Sequence, residues 1–271
     1  MRQQRLLFAA ALPALVVFLA FWLLPVSRLV LVGARGPDGA AAYFAVLTNA
    51  VYRQSLINTV ALSATASIVS VAVAAIVGVY LQRREFAGKR AVVALLTFPL
   101  AFPGVVIGFF VILLAGRQGL IGQVSEALGA EKIVFAYSLS GLFLGYLYFS
   151  IPRCVLTLMA AAEKLDPALE EAARSLGAGP FAVVRDVIVP ALKPALVASS
   201  AICFATSMGA FGTAFTLASK INVLPITIYS EFTNYANFSL AAALSIVLGL
   251  ITWLALAMAR SIAGSTVAAA A

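Results

Sequence analysis

Long apolar runs separated by short polar segments dominate the chain of 271 residues. Each run holds roughly 20 residues, enough for a helix that rises about 1.5 Å per residue to cross a hydrocarbon layer about 30 Å thick. The runs are continuous and rich in Ala and Leu, whereas strands of membrane barrels hold about ten residues and alternate apolar with polar positions. The pattern therefore predicts an all-α integral membrane protein.

About six membrane helices are predicted from these runs. Their predicted bounds are Leu6–Val32, Ser55–Leu81, Ala91–Leu114, Ile133–Ala160, Ala195–Ala218 and Leu240–Ala259. The same pattern divides the chain into a first helix with its outer connection at 1–54, a membrane core at 55–260 that includes a polar inner loop at 163–193, and a tail at 261–271.

Breakers interrupt two of the predicted helices. They are Pro99, Pro103, Gly104 and Gly108 in the third, and Gly141 and Gly145 in the fourth. Proline removes a helical hydrogen bond and glycine lets backbones approach, so the pattern predicts a kink or a close helix contact at these points. Helix packing is favoured over a gating role for these glycines, because glycine is common in membrane helices.

Composition supports the membrane class and argues against several others. Hydrophobic residues make up 63% of the chain and charged residues 10%, against about 45–50% and about 25% in soluble domains. The chain has no histidine, so it lacks the usual metal ligand and the usual base near neutral pH. Cys154 and Cys203 lie in apolar segments without a CxxC pair and are interpreted as small core residues. No metal site and no catalytic group is predicted.

The net charge of +8 is explained by membrane topology, because Lys and Arg cluster at the ends of the apolar runs and form no aromatic-laced patch for nucleic acid. With the N-terminus inside, the inner set is Arg2, Arg5, Arg83, Arg84, Lys89, Arg90, Arg153, Lys164, Arg174, Arg185, Lys193 and Arg260, and the outer set is Arg28, Arg35, Arg53, Arg117, Lys132 and Lys220. This twofold bias predicts that both termini are cytoplasmic. Arg153 is a weak member of the inner set, because it falls in the last turns of a long predicted fourth helix that extends beyond the bilayer.

The inner segment from Glu163 to Lys193 holds five of the ten acidic residues. Asp166 before Pro167 predicts a helix start, since the carboxylate can accept from free N–H groups and proline suits the first helical position. Gly177 can end that helix in a left-handed turn. A second short helix is predicted to open at Pro180, after which Pro190 and Pro194 are predicted to bend the chain toward the fifth membrane helix.

The spacing in this segment is Glu-Ala-Ala from position 171, three residues, Gly177, nine residues, and Val-Ile-Val-Pro ending at Pro190. It resembles the EAA loop of MetI-like inner-membrane permeases from binding-protein-dependent ABC importers, whose pattern is EAA, three residues, Gly, nine residues, Ile-x-Leu-Pro. Val187 and Val189 stand where Ile and Leu are usual. The resemblance covers most of the chain from about Ser55 onward, and the first helix matches loosely.

The resemblance implies a permease subunit that forms a solute pathway and whose loop is a coupling helix seated in a groove of a separate ATPase. The residues assigned to this coupling are Glu170, Glu171, Ala172, Ala173, Leu176, Gly177 and Pro190. No G-x-x-x-x-G-K-[ST] phosphate loop occurs in the chain, so no cofactor is expected here, and ATP and Mg would be bound by the partner ATPase.

The implied partners are a cytoplasmic ABC ATPase dimer, a second permease subunit that is a copy or a paralogue, a periplasmic substrate-binding protein and the lipid bilayer, with no nucleic acid. The implied location is the bacterial inner membrane, crossed several times.

The segment TSMGAFGTAFTLASKINVLPITIYSEFTNYANFS resembles the branch of the family that includes spermidine/putrescine permeases, with relatives that move ferric ion, phosphonates or thiamine. The resemblance implies a polyamine-type solute and a pathway near Ser207, Met208, Gly209, Phe211, Gly212 and Thr213. The same small residues suit helix packing equally well. No acidic residue lies within the predicted spans to bind a cation, and solute recognition in such importers resides largely in the binding protein.

Two other classes remain open alongside the importer. A secondary transporter driven by an ion gradient usually keeps charged residues near the bilayer midplane, yet the second, third, fifth and sixth predicted helices have none in their interiors. A non-transporting membrane scaffold would also fit kinked, glycine-bearing helices, but it gives no reason for EAA-type spacing. An enzyme is the least supported class.

Overall fold

The computed structural model of the protein describes residues 12–37, 39–217 and 221–263. Nearly all of these residues are helical and none of them forms a strand, which confirms the all-α class. Six of the helices described are long and apolar enough to cross a membrane, as predicted. These membrane helices are α1 (Leu12–Gly33), α2 (Ala50–Arg83), α3 (Gly104–Ala127), α4 (Leu139–Glu163), α5 (Pro180–Met208) and α6 (Phe238–Ile262).

Shorter helices connect the membrane helices. They are Gly39–Phe44 and Ala45–Thr48 before α2, Lys89–Thr97 and Phe98–Ala101 before α3, Pro167–Ser175 before α5, and Phe211–Leu217 and Leu224–Thr233 before α6. The predicted first residue Leu6, the predicted end Ala218, the outer base Lys220 and most of the tail at 261–271 lie outside the described residues.

Capping chemistry sets the starts of α2 and α4. Asn49 precedes α2, and its side-chain oxygen accepts a hydrogen bond from the Val51 N–H at 2.8 Å. Ser138 precedes α4 and accepts from the Gly141 N–H at 3.4 Å. Each side chain satisfies one of the free N–H groups that every helix start leaves. Helix α2 therefore begins five residues before the predicted Ser55, and α4 begins six residues after the predicted Ile133.

The predicted third helix, Ala91–Leu114, is wrong as a single element. The chain instead forms the helix Lys89–Thr97 and a 3₁₀ turn over Phe98–Ala101, then passes through extended residues before α3 begins at Gly104. Phe102 has ψ 135°, the extended conformation that a residue before proline prefers. The two prolines of this segment also lack the N–H that a continuous helix requires. Helix α3 is itself interrupted at residues 116–119, so that Leu120–Ala127 forms a short helical segment of its own.

The predicted start of the fifth membrane helix is also wrong. Helix α5 runs without interruption from Pro180 to Met208, fifteen residues earlier than the predicted start at Ala195. Residues Val184–Ile188 form a π-helical turn, which shifts the hydrogen-bond ladder just before Pro190 so that its missing N–H is accommodated. The second half of the inner loop is thus continuous with a membrane helix.

The core lies between α2, α4 and α5, and α1 is at the periphery against α6. Glycine allows the closest approach: a Cβ on Gly78 of α2 would lie 3.2 Å from the carbonyl oxygen of Val155 in α4. Cys154 and Cys203 lie buried between α4 and α5 with exposed fractions of 1%. This confirms their interpretation as small core residues.

Candidate functional site

The polar inner loop begins with a helix, here called the loop helix, over Pro167–Ser175. The Asp166 carboxylate accepts a hydrogen bond from the Ala168 N–H at 2.9 Å, and Pro167 occupies the first helical position. Glu170 lies in the first turn, where a negative charge interacts favourably with the helix dipole. The predicted helix start is confirmed.

Gly177 ends the loop helix in a left-handed conformation with φ +86°. The Gly177 N–H donates to the Arg174 carbonyl at 2.9 Å, and the Ala178 N–H donates to the Ala173 carbonyl at 3.0 Å. These two bonds satisfy carbonyl groups that the helix end would otherwise leave free. A Cβ on Gly177 would meet no atom within 4 Å, so its backbone angle, and not crowding, favours glycine there.

Glu170 ties the loop helix to the membrane body. Its carboxylate pairs with the Arg83 guanidinium at the end of α2, 87 residues away in sequence, and lies 3.7 Å from Arg174 on its own helix. The Glu170 side chain is only 14% exposed. Glu171, next to it, is exposed. The two neighbouring glutamates therefore have different surroundings.

The inner loop likewise has a buried set and an exposed set of apolar side chains. Val183, Ile188 and Leu192 pack with Ala162 in a buried cluster on the membrane side. Leu169, Leu176 and Phe181 expose 56%, 89% and 76% of their surface. Ala172 and Pro190 are also exposed, and Ala173 is half-buried. Exposed apolar side chains on an anchored helix are typical of a surface that another protein covers.

A cavity of about 360 Å³ lies between α4 and two breaks in the helical structure, one before α3 and one after α5. One wall is the segment Pro99–Gly104, the second is α4 at Phe149 and Arg153, and the third is residues 209–213 after the end of α5. Non-helical backbone at membrane depth occurs where it is buried in protein or lines a cavity. Both breaks fit that rule.

The two breaks are fastened to each other. The Thr213 hydroxyl donates to the Gly104 carbonyl at 3.0 Å, and a Cβ on Gly212 would lie 3.1 Å from the Val105 nitrogen. A Cβ on Gly108 would lie only 2.5 Å from the Thr216 Cβ. The close backbone approach supports the packing interpretation of the glycines in this segment.

The predicted pathway residues separate into two groups. Gly209, Phe211, Gly212 and Thr213 line the cavity. Ser207 and Met208 are fully buried at the end of α5, with exposed fractions of 0%. Sequence reasoning missed the first wall, because it treated Pro99–Gly104 as part of a kinked helix.

Arg153 lies ten residues before Glu163 in α4, about 15 Å from that helix end. Sequence reasoning counted it among the inner bases and did not connect it with the cavity, because a single sequence does not show which distant residues meet there.

Six membrane helices, an anchored inner loop and a cavity between broken helices define a membrane transport permease. The family of the binding-protein-dependent transport system inner membrane component matches residues 70–265, and the chain belongs to this family. It is thus a multi-pass inner-membrane protein and the non-catalytic component of an ABC importer, in which a separate subunit hydrolyses ATP.

Relatives with named solutes span most of the chain. A Haloferax volcanii permease named for molybdenum ABC transport is 32% identical over 235 residues, which is 87% of this chain and 82% of that protein. ModB, the molybdenum transport system permease protein of Escherichia coli K12, is 33% identical over 171 residues, 62% of this chain and 74% of that protein. A Salmonella typhi permease named for 2-aminoethylphosphonate transport is 28% identical and covers 90% of this chain and 88% of its own. These names do not support the spermidine/putrescine branch.

Solved structures share the fold. A bacterial alginate ABC transporter, in complex with an alginate pentasaccharide-bound periplasmic protein, contains a chain that matches with a TM-score of 0.81 at 17% identity. The match covers 96% of this chain and 94% of that chain. At this identity the likeness speaks for the fold and not for the solute.

Proposed function

We propose that the chain forms the solute pathway of an ATP-driven importer and that its loop helix docks on a separate ATPase. The observation that carries the proposal is the two-faced loop helix. Glu170 fixes one side to Arg83, while Leu169 and Leu176 are exposed on the other. Exposed apolar residues on a helix that a long-range ion pair holds to the membrane body are the combination expected of a docking element.

The proposed roles of the loop residues follow from their surroundings. Glu170 holds the loop helix against α2, whereas Glu171, Ala172 and Leu176 contact the ATPase. Ala173 packs beneath the helix, and Gly177 makes the turn that leads to α5. These assignments refine the expectation from sequence, in which Glu170 also faced the ATPase groove.

The continuous helix α5 can carry a displacement of the loop helix to the cavity. Because α5 begins inside the loop at Pro180 and ends at Met208, a displacement of the docked loop moves the whole helix. The residues that follow Met208 line the cavity. ATP-driven closure of the ATPase would therefore shift the residues that line the pathway, although the nucleotide does not contact this chain.

The proposed assembly contains an ATPase dimer that binds ATP and Mg, a second permease subunit, either a copy or a paralogue, and a periplasmic binding protein that delivers the solute. Both termini lie in the cytoplasm, in keeping with the basic residues around the loop. The importer class is favoured over an ion-coupled transporter because no described carboxylate lines the cavity.

For the solute we propose an oxyanion in place of a polyamine. The relatives named above carry the names of molybdenum and of 2-aminoethylphosphonate. Molybdenum(VI) in neutral water is a tetrahedral oxyanion, and a phosphonate carries a similar anionic head. A polyamine is cationic and would find no acidic group among the described residues of the cavity wall.

Docking is tested by placing a bulky side chain at the turn. Gly177→Trp should abolish co-purification of the ATPase while leaving the chain in the membrane. Gly129→Trp is a matched control, because Gly129 also has a positive φ, of 76°, and equally open surroundings. The two substitutions therefore strain the backbone alike.

Charge reversal in Glu171→Lys should weaken the same contact between the loop helix and the ATPase. Normal ATPase co-purification and activity with both Gly177→Trp and Glu171→Lys would contradict the proposal.

A further inference from the structure

One charged side chain lies among the described residues that line the cavity, and it is Arg153. This arginine is half-buried on α4, and no described carboxylate lies within ion-pair distance of it. A guanidinium keeps its charge at all physiological pH values. An arginine without an ion-pair partner, within a helix long and apolar enough to cross a membrane, is costly there and marks a functional site by default.

The missing counter-charge has no source in the described part of the chain. Apart from Glu126 in the last turn of α3, the described carboxylates lie in the inner loop or in the segments that connect the membrane helices, and the cavity walls contain none of them. The remaining wall residues are glycines, apolar side chains and Thr213, whose hydroxyl donates to the Gly104 carbonyl. The described part of the cavity therefore offers a positive charge without a negative one to balance it.

The start of α3 adds a second positive element. Gly104 is the first residue of the 12-residue helical segment Gly104–Ala115 and lines the cavity, and Pro103 before it makes no capping side-chain hydrogen bond. The Val106 N–H already donates to the Pro103 carbonyl at 2.9 Å, so this helix start contributes chiefly the positive end of the helix dipole. The guanidinium offers a planar fork of donors that matches two oxygens of one oxyanion.

We propose that Arg153 and the uncapped start of α3 form an oxyanion-binding site in the translocation pathway, which the solute occupies in passage. The inference rests on the proposed importer function and adds the place and chemistry of solute recognition within the membrane. The positive charge of Arg153 repels a cationic solute. The permease therefore selects solutes by the sign of their charge, independently of the binding protein.

The test uses the full complex of permease, ATPase and binding protein in lipid vesicles. Uptake of molybdate, of 2-aminoethylphosphonate and of spermidine is measured together with ATP hydrolysis. Arg153→Gln should lower the amount of oxyanion transported per ATP hydrolysed about tenfold, since it removes the charge that pairs with the solute. Arg153→Lys should retain a larger part of this ratio, because it keeps the charge but loses the fork. Arg84→Gln, an exposed arginine at the end of α2, is the control and should leave the ratio unchanged.

Ala210→Asp gives an independent test, because Ala210 lines the cavity and the new carboxylate would compete with the oxyanion for Arg153. This variant decides the question if Arg153→Gln does not assemble with its partners. An unchanged ratio in Arg153→Gln, or in Ala210→Asp where that variant decides, overturns the site. A wild-type complex that imports spermidine or neither oxyanion overturns it as well. A wild-type chain that binds no ATPase instead contradicts the proposed importer function itself.

Discussion

Two short helices at opposite ends of the molecule terminate alike and are anchored differently. The outer helix, Leu120–Ala127, ends with Leu128 and Gly129, and the loop helix ends with Leu176 and Gly177. Both leucines are exposed, by 80% and 89%, and both glycines have positive φ. Local sequence thus produces the same ending twice.

The outer helix and the loop helix differ in the residues that hold them in place. The outer helix is held by its own neighbours in sequence: Ser125 accepts from the Ile133 N–H at 3.2 Å, and Lys132 lies 3.1 Å from Glu126. The loop helix is held through Glu170 by Arg83 of α2, far away in sequence. Ile121 of the outer helix does pack against the buried core, but an ion pair to α2 is found only for the loop helix among the described residues. The long-range ion pair, and not the helix ending, therefore distinguishes the helix that we propose as the coupling element.

Reversing the charge of the long-range pair should have the largest effect. Arg83→Glu should lower binding-protein-stimulated uptake about tenfold, because two partly buried like charges then face each other. The double variant Arg83→Glu/Glu170→Arg should recover a large part of the uptake, as a double-mutant cycle requires for residues in contact. In the outer pair, Lys132→Glu should change uptake by less than about twofold, since exposed pairs contribute little. Equal losses at the two pairs would remove the distinction between the helices.

A smaller effect is expected from the exposed leucines. Leu176→Glu should weaken ATPase binding about fivefold, because an apolar side chain buried in an interface contributes on the order of 1 kcal/mol or more. Leu128→Glu should leave ATPase binding unchanged, although its side chain is nearly as exposed. Affinity is measured with the solubilised chain and the purified ATPase. Weaker binding with Leu128→Glu would show that exposure alone explains the result.

The smallest effect is expected for Gly177→Ala and Gly129→Ala. Each should lower the free energy of unfolding by about 1 kcal/mol, because both glycines have left-handed backbone angles and open surroundings. Thermal unfolding of the two variants should therefore agree closely. A much larger loss of unfolding free energy in Gly177→Ala would mean that the loop turn stabilises the fold through contacts that the outer turn does not make.

Sequence patterns predicted the number of membrane helices and the capped start of the loop helix, because apolar length and capping chemistry are local. They failed where proline acts in a tertiary context. Pro99 and Pro103 break a helix at a cavity, whereas Pro190 and Pro194 lie within a continuous one, because a π-helical turn precedes Pro190. Residue type alone does not distinguish these two outcomes.

The candidate site was predictable to a similar extent. The spacing from Glu171 to Pro190 identified the loop, and the small residues after Met208 identified one cavity wall. The partner of Glu170 and the place of Arg153 depend on which distant helices meet, and a single sequence does not reveal such contacts. Both belong to the long-range packing of α2 and α4.

The central claim is that the loop helix, and not its outer counterpart, touches an ATPase. Leu176→Cys and Leu128→Cys place matched thiols on the two endings, and the native cysteines are too buried to compete. Each thiol is labelled with a maleimide-linked photo-cross-linker in inner-membrane preparations, and the adducts are identified by mass spectrometry. The account predicts an adduct between position 176 and a chain that carries a G-x-x-x-x-G-K-[ST] phosphate loop, with none from position 128. An ATPase adduct from position 128, or no ATPase adduct from position 176 in an actively transporting membrane, would contradict it.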